Sequence, residues 1–382
     1  MSFIRQRGST HTAYWETPDP ATGRRRQHSK GGFKTIKAAR DYLKSVDGKV
    51  IEGSWRPDQP LTVKQLLEEH WLPAQQTRGL RPATIAQYRL VVDFWLVPHI
   101  GGLRVSELTP AIVQKLVEKL RSTKSSAGRS GLSARSTQLA IGTLKAACAW
   151  AVEAGLLGRN PVAGVRRPRA ETRQMTAWSA EDARRFLSAT ADDPMAPAFA
   201  LLLTRGLRRG EAAGLRWEAV DLDGGTAQIV RTRVVVDGRA IDSTPKTAAG
   251  RRSIPLDATL LRLLRAHRSR QGAEKLAAGI AYEDSGWIFC DALGRAYHPD
   301  HFSARFEALR AQHGLPAIRL HDLRHTAASI MLASGVPVKV VSELMGHASP
   351  TITLSIYAHV LPGMAEEAGA ALSASLLGDT PK

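Results

Sequence analysis

The last third of the chain contains residues that could bind a phosphate and attack it. His321 and Arg324 lie one turn apart in a segment whose pattern predicts a helix from Leu320 to Leu332. His347 follows the glycine that ends a second predicted helix, and Tyr357 comes soon after it. An arginine fork matches two phosphate oxygens, a histidine exchanges protons near neutral pH, and an activated tyrosine is a nucleophile. These residue types together indicate phosphoryl transfer.

Two basic positions further upstream would complete such a site. In the segment from Gly206 to Glu211, Arg208 lies at a predicted helix junction, where the glycines permit a sharp turn. Glu211 is placed to hold the Arg208 guanidinium in a bidentate pair. Lys246 lies in a predicted turn between two strands, from which it could donate a proton to a departing alkoxide. Each of these positions, taken singly, also fits an ordinary solvated side chain.

A zinc site is the alternative for the histidine segment. His321 and His325 are four apart with Asp322 after the first, which resembles the helical motif His-Glu-x-x-His. Asp is shorter than the Glu of that motif, and Arg324 would put a fixed positive charge beside the metal. No third ligand has a convincing spacing, so we predict no metal here and assign structural or orienting roles to His325 and His359.

Composition narrows the class of partner. The chain has 382 residues, which predicts two or three domains, and its 53 Lys and Arg against 35 Asp and Glu give a formal charge of +18. Such an excess suits a polyanion, whether DNA, RNA or a membrane surface. The sequence has no run of 18 apolar residues and no apolar signal-peptide core, which argues against a membrane. Two cysteines exclude a disulfide framework and fit a reducing cytoplasm.

Residues 1–58 predict a compact basic module, with 12 Lys or Arg against 6 Asp or Glu. A strand-like stretch from Phe3 to Trp15 is followed by a turn, a basic strand to Phe33 and a helix that begins at Thr35. An arginine-rich hairpin of this kind can enter a DNA groove. The candidate contacts are Arg24, Arg25 and Arg26.

Residues 61–165 predict an all-α domain of four helices. The first passes through Leu66 and Leu67, and Thr84 caps the second. The third includes Ile112 to Leu120, and the fourth runs from Leu139 to Val152. Between these two, Ser122 to Ser136 predicts a loop. A basic linker follows the domain, with Arg166 and Arg167 as candidate DNA contacts.

Residues 175–382 predict a third domain of mixed type. A capping box at Ser179 opens a helix, and strand patterns lie between residues 226 and 256. The pattern is helical from Asp257 onward, apart from a short strand at Trp287 to Phe289. The fold class is therefore multidomain α+β.

The order of the chemical residues resembles that of the tyrosine recombinase family, also called phage integrases. The family pattern is Arg, Lys, His-x-x-Arg, His or Trp, then Tyr. The positions that match it are Arg208, Lys246, His321, Arg324, His347 and Tyr357. Six matches in order are far more specific than any one of them, although Arg205 stands where the family commonly has Thr. The resemblance implies an arm-binding module of three strands and a helix, an all-α core-binding domain and a mixed α/β catalytic domain.

The resemblance also implies a mechanism. Tyr357 would attack a scissile phosphate and leave a 3′-phosphotyrosine and a free 5′-hydroxyl. Arg208 and Arg324 would neutralise the non-bridging oxygens, and His347 would add a hydrogen bond there.

The proton transfers fall to the two remaining residues of the pattern. Lys246 would protonate the leaving 5′-oxygen, and His321 would manage the proton of the tyrosine. No metal or other cofactor is expected, because fixed cations supply the electrostatic stabilisation. No ATP is expected either, because the covalent link conserves the bond energy.

The implied partners follow from the reaction. They are double-stranded DNA attachment sites and a homotetramer of the chain on DNA, without a membrane, in the cytoplasm of a bacterial host. A host DNA-bending protein or a recombination directionality factor is a further candidate partner. The tail from Met364 to Leu377 predicts an amphipathic helix, which packs either on a neighbouring subunit or on its own domain. The expected outcome is integration or excision of a phage or another mobile element.

Three other functions compete with a recombinase of the integrase type. A type IB topoisomerase shares the phosphotyrosine chemistry, but it would relax supercoiled DNA that lacks any specific site. A Xer-like resolvase would usually lack the first 58 residues. A DNA-binding regulator would bind without covalent capture and would not need all six residues.

Overall fold

The structure is a computed structural model that describes residues 2–18, 25–51, 61–122, 131–166, 168–169, 176–245, 248–357, 370, 372–376 and 378. The chain divides into two compact units, residues 1–172 and 173–382. Each unit is described by itself. The predicted boundary between the first two domains falls among residues 52–60, outside the described residues, and it stays a prediction.

The N-terminal module is a three-stranded antiparallel sheet with one helix. Strands β1 (Phe3–Arg7), β2 (Thr10–Pro18) and β3 (Arg25–Phe33) lie in the order β1-β2-β3, and helix α1 (Ile36–Ile51) packs on them. The stretch predicted as one strand is two, because Gly8 takes a left-handed conformation with φ of 58° and the chain reverses there. The small core consists of Ala13, Trp15, Leu43 and Val46.

The second part of the first unit is helical, as predicted, in four continuous stretches. The first is α2 (Val63–Gln65), a π-helical turn (Leu66–Trp71) and α3 (Leu72–Thr77). The second is α4 (Pro82–Leu90), a π-helical turn (Val91–Leu96) and α5 (Val97–Ile100). The third and fourth are α6 (Pro110–Ser122) and α7 (Ala134–Glu153). Apolar side chains from all four stretches form one buried cluster.

Two sequence predictions in this region are wrong in detail. Thr84 does not cap the second stretch, because Arg81 occupies the cap position and Pro82 the first helical position, where its fixed φ favours a helix start. The predicted loop up to Ser136 ends earlier, since Ser133 caps α7 by accepting a hydrogen bond from the backbone N–H of Ser136.

The second unit surrounds two small sheets with helices. Between residues 176 and 357, the described helices are α8 (Ala180–Ala189), α9 (Ala196–Arg205), α10 (Arg209–Ala213), α11 (Ala258–Ala278), α12 (Pro299–Gln312), α13 (Asp322–Ala333), α14 (Val338–Met345) and α15 (Pro350–Tyr357). Its strands are β4 (Val220–Asp221), β5 (Thr226–Ile229), β6 (Thr232–Val236), β7 (Arg239–Ser243) and β8 (Arg252–Pro255). One antiparallel sheet has the order β4-β5-β8, and β6 and β7 form a hairpin. The side chains of Phe186, Phe199 and Phe306 meet edge-on or tilted in the core.

The predicted cap at Ser179 is present in this unit, whereas one predicted strand is absent. The Ser179 hydroxyl accepts from the backbone N–H of Asp182 and opens α8, as predicted. The segment from Trp287 to Phe289 makes only an isolated bridge between Trp287 and Arg216, because no continuous partner strand lies beside it. Trp287 instead contacts the guanidinium of Arg216, whose carbon lies 4.0 Å from the ring centre.

Two further findings concern membrane-spanning helices and the C-terminal tail. Within the described part of the chain, no helix has both the length and the apolar character required to cross a bilayer. Residues 370 and 372–376 are helical, and the remainder of the predicted tail helix lies outside the described residues.

Core packing in the second unit can be tested with a matched pair of leucines. Leu201 is fully buried in α9, whereas Leu276 in α11 is 86% exposed. We expect Leu201→Ala to lower the free energy of unfolding by about 2–5 kcal/mol, since it leaves a cavity. Leu276→Ala should change it by less than about 0.5 kcal/mol. Urea unfolding of both variants checks this, and equal effects would contradict the described core.

Candidate active site

The last turn of α14 collects three arginines from distant parts of the chain. Arg252 donates from Nε to the carbonyl oxygen of Leu344 at 2.7 Å. Arg324 donates from Nη2 to the carbonyl oxygen of the next residue, Met345, and from Nη1 to that of Gly206 at 2.5 Å.

The third of these arginines is Arg208, which donates from Nη2 to the carbonyl oxygen of Gly346 at 3.2 Å. The last carbonyls of a helix have no partner within the helix and carry partial negative charge, which favours cations. Three consecutive carbonyls of this turn therefore bind three different guanidinium groups.

Glu211 joins two of these arginines beneath the site. Its carboxylate accepts from Nη1 and Nη2 of Arg252, at 3.2 and 3.0 Å, in a bidentate pair. It also accepts from Nη1 of Arg208 at 2.7 Å and from the Arg208 backbone N–H at 3.0 Å. Burial would raise the pKa of Glu211, but the hydrogen bonds and charge of Arg252, together with those of Arg208, hold it below its ordinary value.

The sequence predicts the Arg208–Glu211 contact correctly, but its predicted form is wrong. We expected a bidentate pair between Arg208 and Glu211, and the bidentate partner is Arg252. The reason is placement: Arg208 caps α10, so its backbone N–H occupies one carboxylate oxygen of Glu211 and its side chain reaches the other. Arg252 approaches from β8 and faces both oxygens.

Two glycines bring these groups close together. Gly206 ends α9 with φ of 61°, and Gly346 ends α14 with φ of 62°. A Cβ at Gly206 would lie 2.6 Å from the sulfur of Met345. A Cβ at Gly346 would lie 2.9 Å from Nη1 of Arg252 and 2.9 Å from the carbonyl oxygen of Ala249. Both positions thus require glycine for conformation and for space.

His347 follows Gly346 directly and has a fixed ring. Its Nδ1 lies 2.8 Å from Oγ1 of Thr353, a fully buried side chain. Burial and the charges of Arg324 and Arg208 lower the pKa of His347 to about 4, so the ring is neutral at physiological pH. When the Thr353 hydroxyl donates to Nδ1, the ring proton resides on Nε2, which can then donate to an anion.

Tyr357 is the last residue of α15, and its side chain is only 2% exposed. Its hydroxyl oxygen lies 2.6 Å from Nδ1 of His325, in α13. Burial raises the pKa of Tyr357 to about 12, although the charge of Arg324 opposes this. The hydroxyl is therefore protonated at neutral pH and needs a base before it can attack.

His321 precedes α13 and contacts His325 ring to ring, with centroids 5.3 Å apart and planes nearly perpendicular. Burial, followed by the charges of His325 and Arg324, lowers the pKa of His321 to about 4. Burial, with a contribution from Arg208, lowers the pKa of Arg324 to about 9. An anion between Arg208 and Arg324 would relieve the repulsion between these two cations.

The structure brings together five of the six residues of the sequence pattern. They are Arg208, His321, Arg324, His347 and Tyr357. Lys246 lies outside the described residues. Sequence reasoning did not assign Arg252 to the site, since it was read only as the start of a strand. His325 received an orienting role, and its spacing of four residues from His321 was the signal that it shares that face.

The remaining predicted contacts are on the surface or outside the described residues. Arg25, Arg26 and Arg166 are exposed, and Arg24 and Arg167 lie outside the described residues. Among the described residues, no group of three or more His, Cys, Asp or Glu side chains is arranged to hold a metal ion.

Arg205, the departure from the family pattern, binds away from these groups. Its Nε donates to the carbonyl oxygen of Pro255 at 2.7 Å, and its Nη2 pairs with Asp257, the cap of α11. This arginine ties the end of α9 to β8 and α11.

Comparison with known proteins identifies the family to which the chain belongs. Models of three protein families match consecutive parts of the chain: an arm DNA-binding domain at residues 3–50, an N-terminal SAM-like domain of phage integrases at 62–121 and the phage integrase family at 177–363. The chain belongs to the phage integrase family of tyrosine recombinases. It is accordingly a site-specific DNA recombinase.

Individual relatives of this recombinase are distant but cover most of its length. A tyrosine recombinase XerC-like protein of Caldanaerobacter subterraneus subsp. tengcongensis is 27% identical over 324 residues, which are 80% of this chain and 81% of that protein. The Tn1549 transposon integrase in complex with transposon right end DNA has a TM-score of 0.66 at 19% identity, over 83% of this chain and 100% of that one. A lambda integrase tetramer bound to a Holliday junction has a TM-score of 0.58 at 17% identity, over 93% and 94%. The last two show the fold.

The buried ion pair of the recombinase gives a stability prediction. Glu211→Gln would leave Arg252 buried without its counter-charge, and we expect a loss of about 3–5 kcal/mol in the free energy of unfolding at pH 7. Because the folded pKa of Glu211 lies below its ordinary value of 4.5, this stabilisation is complete above pH 4.5. It is lost as the pH falls through the folded pKa, so wild type and variant should converge there.

Denaturant unfolding from pH 7 down to pH 3 measures this convergence. The control is Asp284→Asn, which removes an exposed ion pair with Lys275 and should change stability by about 0–1 kcal/mol at pH 7. A constant difference between wild type and Glu211→Gln across this range would contradict the assigned charge of Glu211.

The close packing at Gly346 gives a second prediction, with Gly335 as a matched control. Both glycines have positive φ, 62° and 79°, but a Cβ at Gly335 would meet nothing within 4 Å. Each alanine variant should lose about 1–2 kcal/mol of stability from left-handed strain. Gly346→Ala should in addition displace Arg252 and slow covalent attachment to DNA by roughly 10²-fold, because the adjacent carbonyls hold the arginines.

Single-turnover formation of the covalent protein–DNA complex measures the difference between the two variants. Equal rates for Gly335→Ala and Gly346→Ala would show that the turn after α14 does not position the reacting groups.

Proposed function

We propose that this recombinase cuts and rejoins DNA through a 3′-phosphotyrosine on Tyr357, within a site formed at the last turn of α14. One observation carries the proposal: this turn holds Arg208 and Arg324 by adjacent carbonyls, with His347 next in the chain. Two cations and a neutral hydrogen-bond donor thus converge where a phosphate would bind.

The two arginines would bind the non-bridging oxygens of the scissile phosphate. Each guanidinium carries five N–H groups, and the bonds described above use two of them on each arginine. Arg208 has a side chain that is 41% exposed, whereas Arg324 is 4% exposed as a residue. Arg208 therefore meets the entering DNA, and Arg324 is the fixed charge behind it. Such preorganised charge stabilises the transition state without reorganisation.

His347 would stabilise the same charge from a third direction. Its neutral ring is held by Thr353 and can donate from Nε2 to a phosphate oxygen. Glu211 supports this arrangement because it holds Arg208 and Arg252 in place.

The strand transfer itself is a displacement at phosphorus. The hydroxyl of Tyr357 gives its proton to a neighbouring base, and its oxygen forms the new P–O bond while the bond from phosphorus to the 5′-oxygen breaks. Lys246 gives the 5′-oxygen its proton. Attack by a 5′-hydroxyl reverses the reaction and releases the tyrosine. The chemistry needs no ATP, because the phosphotyrosine keeps the bond energy of the phosphodiester.

The partners we propose are duplex DNA attachment sites and three further copies of the chain. Recombination joins two duplexes with two strand exchanges, and the lambda integrase structure cited above holds a tetramer on a Holliday junction. A host DNA-bending protein or a directionality factor would assist assembly, in the cytoplasm of a bacterial host. The match to an arm DNA-binding domain favours an integrase over a Xer-like resolvase, since it adds a second DNA-binding module.

Covalent trapping tests the proposal. Nicked duplexes carrying the sequence that flanks the gene are mixed with the protein and a chelator, and denaturing gels separate the products. Wild type should form a band that resists denaturant. Tyr357→Phe should bind the same DNA with unchanged affinity and form no such band, because it lacks the nucleophilic oxygen.

The control is Tyr297→Phe, which removes another tyrosine hydroxyl of the same unit and should leave the band unchanged. A covalent band in Tyr357→Phe would sink the assignment of the nucleophile. Relaxation of supercoiled DNA without any specific site would instead favour a topoisomerase.

A further inference from the structure

Among the described residues, the hydroxyl of Tyr357 has a single hydrogen-bond partner, Nδ1 of His325 at 2.6 Å. The two rings lie 5.8 Å apart at 52°. The side chain of Tyr357 is only 2% exposed, so bulk water has little access to its hydroxyl. A base that is already beside the hydroxyl is therefore best placed to take its proton.

His321 is the histidine of the family pattern, but it is not at this oxygen. It contacts the ring of His325, not the hydroxyl of Tyr357. The helix geometry explains this: His321 is the cap of α13, and His325 lies one turn further along, on the same face and level with the end of α15.

We propose that His325 is a catalytic residue, whose Nδ1 takes the proton of Tyr357 as the tyrosine oxygen attacks the scissile phosphate. The inference rests on the proposed function of Tyr357 and adds a residue outside the six of the sequence pattern. It also removes from His321 the role that the pattern had given it. His321 is then left to bind the phosphate or to orient His325.

The proton balance is complete in both directions. As the bond between the Tyr357 oxygen and phosphorus forms, the O–H bond of the tyrosine breaks and its proton moves to Nδ1 of His325. The bond from phosphorus to the 5′-oxygen breaks, and that oxygen takes its proton from another donor, for which we propose Lys246. In rejoining, the imidazolium of His325 returns the proton to the departing tyrosine oxygen.

The charges around His325 suit a base rather than a permanent cation. Burial lowers the pKa of His325, the charges of Arg324 and Arg319 lower it further, and that of Asp322 opposes them. The ring is thus neutral at pH 7, with Nδ1 able to accept a proton. Among the described residues, the titratable and charged groups that face it are His321, Asp322, Arg319, Arg324, His347 and Tyr357.

The test is His325→Asn, in which the amide oxygen can accept the tyrosine hydrogen bond in place of Nδ1 but cannot take the proton. On the nicked duplexes described above, we expect single-turnover covalent attachment to slow by roughly 10²–10⁴-fold. DNA affinity and the thermal unfolding midpoint should stay close to wild type. The control is His313→Asn, at the end of α12, which should attach at the wild-type rate.

A pH profile separates a base from a structural residue. In His325→Asn, the rate should rise about tenfold per pH unit as the ionised fraction of Tyr357 grows, whereas wild type should be nearly flat above the pKa of His325. His325→Gln, which also lacks a base, should show the same slope and serves as the second variant if the asparagine is poorly folded.

A modified substrate decides which proton His325 handles. In a duplex with sulfur in place of the bridging 5′-oxygen, the leaving group is a thiolate, which departs without a proton because thiols have a pKa near 8.5. His325→Asn should remain as slow on this DNA, relative to wild type, as on the ordinary one. Recovery to the wild-type rate would assign His325 to the leaving group and overturn the proposal.

The outcomes for this inference and for the proposed function are distinct. A wild-type band together with an equal rate for His325→Asn would refute the role of His325 and leave Tyr357 as the nucleophile. A covalent band in Tyr357→Phe would refute the nucleophile itself, and the role of His325 with it.

Discussion

The candidate active site depends on one interaction, the binding of arginines by the carbonyl oxygens at the end of α14. Arg252, Arg324 and Arg208 bind Leu344, Met345 and Gly346 in turn. In most helices, water or a local turn satisfies these carbonyls. Here the guanidinium groups do so, and the partial negative charge of the helix end offsets part of their mutual repulsion. Packing of one helix end therefore fixes the positions of the cations that would bind the phosphate.

The contacts of Glu211 give the three arginines different roles. Its carboxylate is shared between Arg252 and Arg208, and the bidentate pair goes to the buried Arg252. Arg252 therefore has a structural role, because Glu211 neutralises its charge and both side chains are shielded from water. Arg208 and Arg324 keep N–H groups for an anion, and the pKa of Arg324 is lowered first by burial and then by the positive charge of Arg208. In the proposed function, a phosphodiester would bring negative charge to these two arginines.

Burial, together with the neighbouring positive charges, keeps the histidines neutral. Burial and the neighbouring arginines lower the pKa values of His321 and His347 to about 4, and that of His325 is lowered as well. A neutral imidazole can accept a proton at one nitrogen while it donates from the other. Burial and the arginines that would bind the phosphate therefore both keep the histidines around Tyr357 neutral, and the raised pKa of Tyr357 makes a base necessary.

Much of the architecture could be predicted from the sequence, because it depends on local chemistry. The apolar period predicted the four helical stretches of the first unit, Ser179 predicted the start of α8, and the glycines at 206 and 346 predicted the ends of α9 and α14. Local signals failed where two of them competed. Pro82 starts its helix ahead of Thr84. The segment from Trp287 to Phe289 has residue types typical of a strand, but it has no continuous strand beside it.

The sequence by itself determined which chemical groups are available and in what order: the arginines, the histidines and a single tyrosine at the end. Only the tertiary structure decided how they pair. Arg252 is 41 residues from Glu211, and His325 is 32 residues from Tyr357. No periodicity or spacing connects positions so far apart. Their contact depends on where whole helices and strands pack, and on which of several nearby side chains reaches a given oxygen first.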